Sequence, residues 1–151
     1  MTSTPEDAMT ASERERNLER LRNGIEAYNR GDLSFVYELA ADDIEVHVDR
    51  NLINTGTYQG RDEFLRWMQN WQDAWRDITL DVRNVEAIGD RHLMVEVWQR
   101  AVGAGSGVPV EMDIVQLIEV GGGEIKRFHL YPDRESADAA LACMRGPTEP
   151  A

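Results

Sequence analysis

Histidine exchanges protons near neutral pH, and this sequence contains three histidines, His47, His92 and His129. No two of them show the His-x-His or His-x-x-x-His spacing that places imidazoles on one metal ion. His47 lies in the alternating run from Ile44 to Val48. Alternation points His47 away from the apolar side of a strand, and a bulge would be needed to turn it inward as a base. The spacing therefore predicts no metal site. His47 is a candidate catalytic base on the condition that a bulge turns it inward.

Other common signatures of catalysis are missing. There is no Gly-x-Ser-x-Gly sequence and no glycine-rich phosphate loop before a helix, which disfavours serine hydrolysis and nucleotide use. The single cysteine, Cys143, has no partner for an internal disulfide or a cysteine metal site, and we interpret it as a packing residue. We therefore expect chemistry, if any, without a cofactor.

The charge balance excludes further classes of protein. Asp and Glu number 28 against 16 Lys and Arg, for a formal net charge of −12, so nucleic acid would be repelled. No apolar run approaches the length that a bilayer requires, and the acidic N-terminus does not resemble a signal peptide. We expect no nucleic acid partner, no membrane association and a cytoplasmic location.

The first half of the chain predicts helices. Ser12 and Glu15 form a capping box before an apolar stripe that runs from Leu18 to Tyr28, and a short second helix covers Phe35 to Leu39. The strand at Ile44 to Val48 follows.

A third helix, from Arg61, carries an apolar stripe at spacings of three or four: Phe64, Trp67, Met68, Trp71 and Trp75. We interpret this stripe as core plus pocket wall, with Trp71 or Trp75 beside a flat apolar ligand. Pure packing is the alternative interpretation.

From Ile78 onward the period changes to two. Strands are predicted at Ile78–Ile88, His92–Val102, Val108–Val120 and Glu124–Tyr131, with glycine-containing turns between them, and a last helix spans Arg134–Met144. One domain over residues 12–145 is expected, between flexible tails at 1–11 and 146–151. Helices followed by an antiparallel meander indicate an α+β fold, in which a curved sheet wraps around the N-terminal helices.

Six segments in this order resemble the SnoaL-like polyketide cyclase and ketosteroid isomerase superfamily. They are Asn29–Asp32, Ala41–Val46, Tyr58–Phe64, Gly105–Val108, Gly122–Lys126 and Tyr131–Arg134. The resemblance implies the cone-shaped nuclear transport factor 2-like (NTF2-like) fold, a small-molecule ligand, and a homodimer joined through the outer face of the sheet.

The family's catalytic residues do not map onto this chain. A ketosteroid isomerase uses a carboxylate base and an oxyanion hole made by a tyrosine and a protonated acid. Alignment places the oxyanion tyrosine at Gly24, the base at Val48, and the acid at Val115 or Asp113. SnoaL-like cyclases carry an essential Asp after a His-Trp pair, where this chain has Phe128–Tyr131.

With the family's orientation, strand parity predicts the inward face: Val95, Val97, Gln99, Asp113, Val115, Leu117, Phe128 and Leu130. Asp113 would then be an acid or base with a raised pKa among apolar groups, or else an exposed or Arg100-paired carboxylate. Tyr28, one turn beyond Gly24, would supply a hydroxyl donor, or else be core. The resemblance also implies that His129 lies with Trp98 and Arg100 at the dimer interface, in a structural role.

Three functions remain open at this level. The first is a cofactor-free isomerase, cyclase or hydrolase-like enzyme that uses Asp113 with Tyr28 or His47. The second is a non-catalytic binding module for a small, mostly apolar metabolite. The third is an interaction domain whose cavity is filled by its own tryptophans.

Overall fold

The helices precede the long strands, as the residue patterns predict. The computed structural model describes residues 11–49, 56–89 and 91–145. The elements in chain order are α1 (Ala11–Asn29), α2 (Phe35–Leu39), β1 (Ala40–Val48), β2 (Gly56–Gln59), α3 (Arg61–Asp73), β3 (Trp75–Ile88), β4 (His92–Gly103), β5 (Pro109–Gly121), β6 (Glu124–Tyr131) and α4 (Arg134–Arg145). This arrangement confirms the predicted α+β class and the curved sheet against N-terminal helices.

The six strands form one sheet in the order β2-β1-β6-β5-β4-β3. Every neighbouring pair is antiparallel except β1 and β6, which are parallel. The predicted meander from β3 to β6 is antiparallel throughout, and the parallel pair of the described sheet joins β1 to β6. The meander between β1 and β6 is long enough to bring β6 back in the same direction as β1. Strand β2 was missed because four residues that include a glycine give no clear period.

Register shifts bend the sheet into its curved form. They occur twice between β3 and β4, at Arg76/Thr79 and Val82/Asn84, once between β1 and β6, at Ala40/Glu45, and once between β5 and β6, at Glu119/Val120. An extra residue on one strand increases the local twist and bends the strand. The long strands therefore curl around the helices instead of lying flat beneath them.

Polar side chains attach the helices to the concave face. Asn29, at the end of α1, bonds both backbone groups of Leu80 on the edge strand β3, at 3.0 and 2.8 Å. Arg61, at the start of α3, donates to the carbonyl oxygen of Ala40 at 2.9 and 3.2 Å. Both contacts join residues far apart in sequence, and together they set the space between helices and sheet.

Helix α3 is shorter than its apolar stripe predicts. It ends at Asp73, and Trp75 is the first residue of β3, paired with Gly103. The carbonyl oxygen of Ala74 accepts a hydrogen bond from Ala104 N–H at 3.1 Å. Pairing with β4 therefore begins immediately after the helix. The placement of Trp75 on the helical stripe is wrong, because long-range strand pairing overrides local spacing.

Helix α4 covers part of the convex face of the sheet. Ala137 and Leu141 are buried against Met94, Leu117 and Tyr131 in a cluster separate from the main core. Arg134 fixes the start of α4 through ion pairs of 2.9 to 3.2 Å with carboxylates, namely Glu86, Glu96 and Asp138. The sheet is therefore buried on both faces where α4 lies.

Two side chains expected at a dimer interface lie on the part of this convex face that α4 does not cover. Each of them interacts with a carboxylate of the same chain. Trp98 donates to Glu111 Oε1 at 3.0 Å, and Arg100 pairs with Asp81 at 3.0 Å. His129, expected beside them, is only 6% exposed in the single chain. The homodimer stays a prediction.

The predicted tails fall mostly on residues 1–10 and 146–151, which lie outside the described residues, as does the expected loop with Asn51 and Asn54. The domain boundaries stay predictions. Among the residues that the structure describes, no helix is long and apolar enough to span a bilayer.

Candidate functional site

A cavity lies between the helices and the concave face of the sheet. The space between its walls amounts to about 750 Å³ when open solvent at its mouth is included, and the centre of a water molecule can occupy about 70 Å³ of it. Helices α1, α2 and α3 supply one wall, with Ile25, Phe35 and Trp67 among the lining residues. Strands β3 to β6 supply the other wall, which includes Val97 and Ile114. This is the concave, mostly apolar kind of site in which proteins bind small molecules.

The register between β4 and β5 decides which residues face this cavity. Gln99 pairs with Met112, Val97 with Ile114 and Val95 with Gln116, so odd-numbered residues of β4 share a face with even-numbered residues of β5. Paired residues in an antiparallel ladder point to the same side of the sheet. The odd-numbered residues of β4 face inward, as predicted. In β5 the even-numbered residues face inward, whereas the prediction chose the odd-numbered ones.

Three predicted cavity residues consequently lie elsewhere. Asp113 is exposed on the convex face, and Arg100 pairs with Asp81 instead of with it. Val115 and Leu117 are buried on the convex face, in the cluster under α4. The prediction of Asp113 as an acid or base in the cavity is wrong, because it assumed a β5 face that the hairpin register reverses.

Other predicted residues do line the cavity. They are Tyr28, Trp71, Gln99, Phe128 and Leu130. Val48 is buried in the main core but is not among the lining residues, and Trp75 packs against that core from the start of β3. The roles of the five lining residues in binding stay predictions.

Two polar side chains of the lining meet in a buried hydrogen bond. Trp71 Nε1–H donates to Gln99 Oε1 at 3.0 Å, and both residues are at most 3% exposed. Tyr28 also lines the cavity, and burial raises the pKa of its hydroxyl. Tyr28 therefore stays protonated at neutral pH, as a hydrogen-bond donor and not as a base.

Gln116 is a polar lining residue that the sequence patterns did not place at the cavity. It is 7% exposed, and its Oε1 atom is buried without a hydrogen-bond partner among the described residues. The glutamine inside the apolar run Ile114–Ile118 could have indicated this position. Burial of an amide without a hydrogen-bond partner costs free energy, so a glutamine in such a run is unusual. No aspartate, glutamate, histidine, lysine or arginine of the described chain lines the cavity.

His47 lies on the opposite face of β1 from the cavity. The register shift between Ala40 and Glu45 precedes it and leaves Val46 and Val48 inward, so the bulge that would turn His47 inward does not occur. Its ring lies 5.3 Å from that of His129, and its Nδ1 is 3.3 Å from Thr57 Oγ1. The prediction of His47 as a cavity base is wrong.

His129 occupies a buried polar cluster on that same outer face. Its Nε2 lies 3.0 Å from Glu45 Oε2, and its Nδ1 lies 3.3 Å from the Tyr131 hydroxyl. Burial lowers the pKa of His129, and the hydrogen bond to Glu45 opposes this effect without cancelling it. Burial, with the charges of Asp49 and Glu45, raises the pKa of Tyr131 to about 12. The folded protein therefore favours neutral forms of both rings.

We expect the free energy of unfolding to fall as the pH drops below about 6.5, the usual pKa of an unfolded histidine. Below that pH the unfolded chain protonates His129 before the folded protein does, so acid favours unfolding, by at most about 1.4 kcal/mol per pH unit for one proton. Urea denaturation at pH 7.5, 6.5 and 5.5 measures this loss, which should be smaller in His129→Gln. Equal losses in both proteins would contradict the assignment.

The comparisons with known proteins agree with this geometry. The SnoaL-like domain family matches residues 21–128. An NTF2-like protein of unknown function from Burkholderia pseudomallei K96243 has a TM-score of 0.69 and 19% identity, covering 82% of this chain and 95% of its own. A proposed SnoaL-like polyketide cyclase from Jannaschia sp. CCS1 has a TM-score of 0.69 and 14% identity, covering 100% and 99%.

A third similar structure comes from Catenulispora acidiphila DSM 44928, a hypothetical protein with a ketosteroid isomerase-like fold in complex with trimethylamine. Its TM-score is 0.67 at 17% identity, covering 80% of this chain and 90% of its own. At these identities the likenesses show the fold alone. No curated protein is similar enough to this sequence to count as a match. The family match covers most of the chain, and the chain therefore belongs to the SnoaL-like domain family.

Proposed function

We propose that this protein binds a small, mostly apolar and uncharged molecule in the cavity between its helices and the concave face of the sheet. The observation that carries the proposal is the lining, in which apolar and aromatic side chains surround two buried glutamines. Trp67 and Trp71 form part of the wall and leave the cavity open. This openness favours binding over a domain filled by its own tryptophans.

The same lining favours binding over acid–base catalysis. An isomerase or cyclase of that kind needs a group that accepts a proton near pH 7. Tyr28 is the one titratable side chain among the described lining residues, and its raised pKa makes it a donor. A similar structure in complex with trimethylamine supports the binding of a small organic molecule by this fold, and it does not bear on the charge of the ligand.

A neutral apolar dye tests the proposal. We expect N-phenyl-1-naphthylamine to bind saturably, one molecule per chain, with increased dye emission and quenching of tryptophan fluorescence, because Trp67 and Trp71 line the cavity. Ile114→Phe, which places a larger side chain in the cavity, should weaken dye binding at least tenfold.

Ile118→Phe is the matched control. Ile118 lies on the same strand and in the same core, and it lines a second, smaller hollow instead of this cavity. Circular dichroism confirms that both variants fold. Absence of saturable dye binding, or equal dye binding by Ile114→Phe and wild type, would refute the proposed function.

A further inference from the structure

The buried amide of Gln99 has a fixed orientation. The indole N–H of Trp71 can only donate, so the atom that it contacts at 3.0 Å must be the amide oxygen of Gln99. The amide nitrogen, Nε2, is therefore defined, and it is buried without a hydrogen-bond partner among the described residues. Gln99 is 1% exposed and lines the cavity. The wall of the cavity therefore contains a buried hydrogen-bond donor whose position is fixed and which has no partner among the described residues.

Gln116 offers a second unsatisfied amide at another point of the same wall. Its Oε1 is buried without a partner, and no hydrogen bond from a described residue fixes the orientation of its amide. Rotation about the last side-chain bond would exchange its oxygen and nitrogen. A hydroxyl group, which both donates and accepts, satisfies Gln116 in either orientation.

Apolar residues separate the two amides. Gln99 pairs with Met112, four residues along β5 from Gln116, so the two backbone positions lie about 14 Å apart along the strands. The pair Val97 and Ile114 lies between them and lines the cavity. A ligand that reaches both amides therefore carries its polar groups at opposite ends of an apolar framework.

The lining also indicates the charge of the ligand. None of the described lining residues is charged, and an ionised ligand would lose its hydration without gaining a counter-ion. We infer that the ligand is a neutral hydroxy-carbonyl compound, whose carbonyl oxygen accepts from Gln99 Nε2 and whose hydroxyl, at the far end of an apolar framework, bonds Gln116. This inference rests on the proposed function.

A matched set of naphthalenes tests the inference through displacement of N-phenyl-1-naphthylamine. The set comprises 6-acetyl-2-naphthol, 2-acetylnaphthalene, 2-naphthol and 2-ethylnaphthalene, which carry both polar groups, either one or neither. We expect 6-acetyl-2-naphthol to bind at least tenfold more tightly than 2-ethylnaphthalene, with intermediate affinities for the other two. Equal affinities across the set, with the dye still bound, would overturn the inference and leave the proposed function standing.

Variants assign each polar group to its amide. Gln116→Leu should remove the advantage conferred by the hydroxyl, and Gln99→Leu the advantage conferred by the acetyl group, where each advantage is a ratio of two affinities measured on the same variant. Gln116→Leu should also unfold at a temperature no lower than wild type, because it removes a buried acceptor without a partner. A purely structural role would lower that temperature and leave the ligand preferences unchanged, which would overturn the inference. Failure of the dye to bind wild type would overturn both proposals.

Discussion

Ala137→Glu is expected to lower the free energy of unfolding by about 3–5 kcal/mol, the cost typical of an uncompensated buried charge. Ala137 is 0% exposed on the inner side of α4 and packs in the cluster with Met94, Leu117 and Tyr131. A carboxylate there must either lose its hydration or detach α4 from the sheet. Urea denaturation followed by circular dichroism measures the loss, and faster amide hydrogen exchange across Arg134–Arg145 would show that α4 detaches.

Ala139→Glu is the control for this prediction, because it adds the same charge to the same helix. Ala139 is exposed, so the substitution should change the free energy of unfolding by no more than about 0.5 kcal/mol. Comparable losses in the two variants would mean that the acidic character of the protein, and not the burial of Ala137, causes the destabilisation.

Phe64→Ala is expected to cost about 3–5 kcal/mol of stability and to enlarge the cavity. Phe64 is 3% exposed, lines the cavity, and has its ring 5.2 Å from that of Phe128 and 6.4 Å from that of Trp67. Its removal withdraws apolar surface and ring contacts from both the helix and the sheet sides of the core. Thermal and urea unfolding give the size of the loss.

Added toluene distinguishes an enlarged cavity from a collapsed core. An apolar cavity created by truncation binds small aromatic molecules, so toluene should raise the melting temperature of Phe64→Ala more than that of wild type. Arg66→Ala, an exposed change on the same helix, serves as the control and should resemble wild type in both measurements. An unchanged response of Phe64→Ala to toluene would mean that the surrounding side chains collapse into the space.

Strand β5 shows why the cavity face was harder to predict than the strand itself. All five residues from Ile114 to Ile118 are buried. The main core and its cavity cover one face of the strand, and the cluster beneath α4 covers the other. Alternation of apolar and polar residues disappears when both faces are covered. The choice between the two faces then depends on the register with β4, which the length of the intervening turn sets.

The end of α3 shows a second reason why local sequence patterns did not predict the structure fully. Trp75 continues the helical spacing of Trp67 and Trp71, yet it begins β3 and pairs with Gly103. Local spacing describes what a segment would favour alone, whereas the partner strand lies about thirty residues further along the chain. Tertiary pairing outweighs the small free energy that separates helix from strand at one residue.

The sequence alone determined the order of the helices and of the strands other than β2, the α+β class and the unfavourable charge for a nucleic acid partner, because these follow from local periodicity and composition. The tertiary structure decided which chemical groups meet. It placed Asp113 outside, joined His129 to Glu45 across 84 residues, and set Gln116 on the same cavity wall as Gln99. Those outcomes depend on strand register, and a shift of one residue exchanges the two faces of a strand.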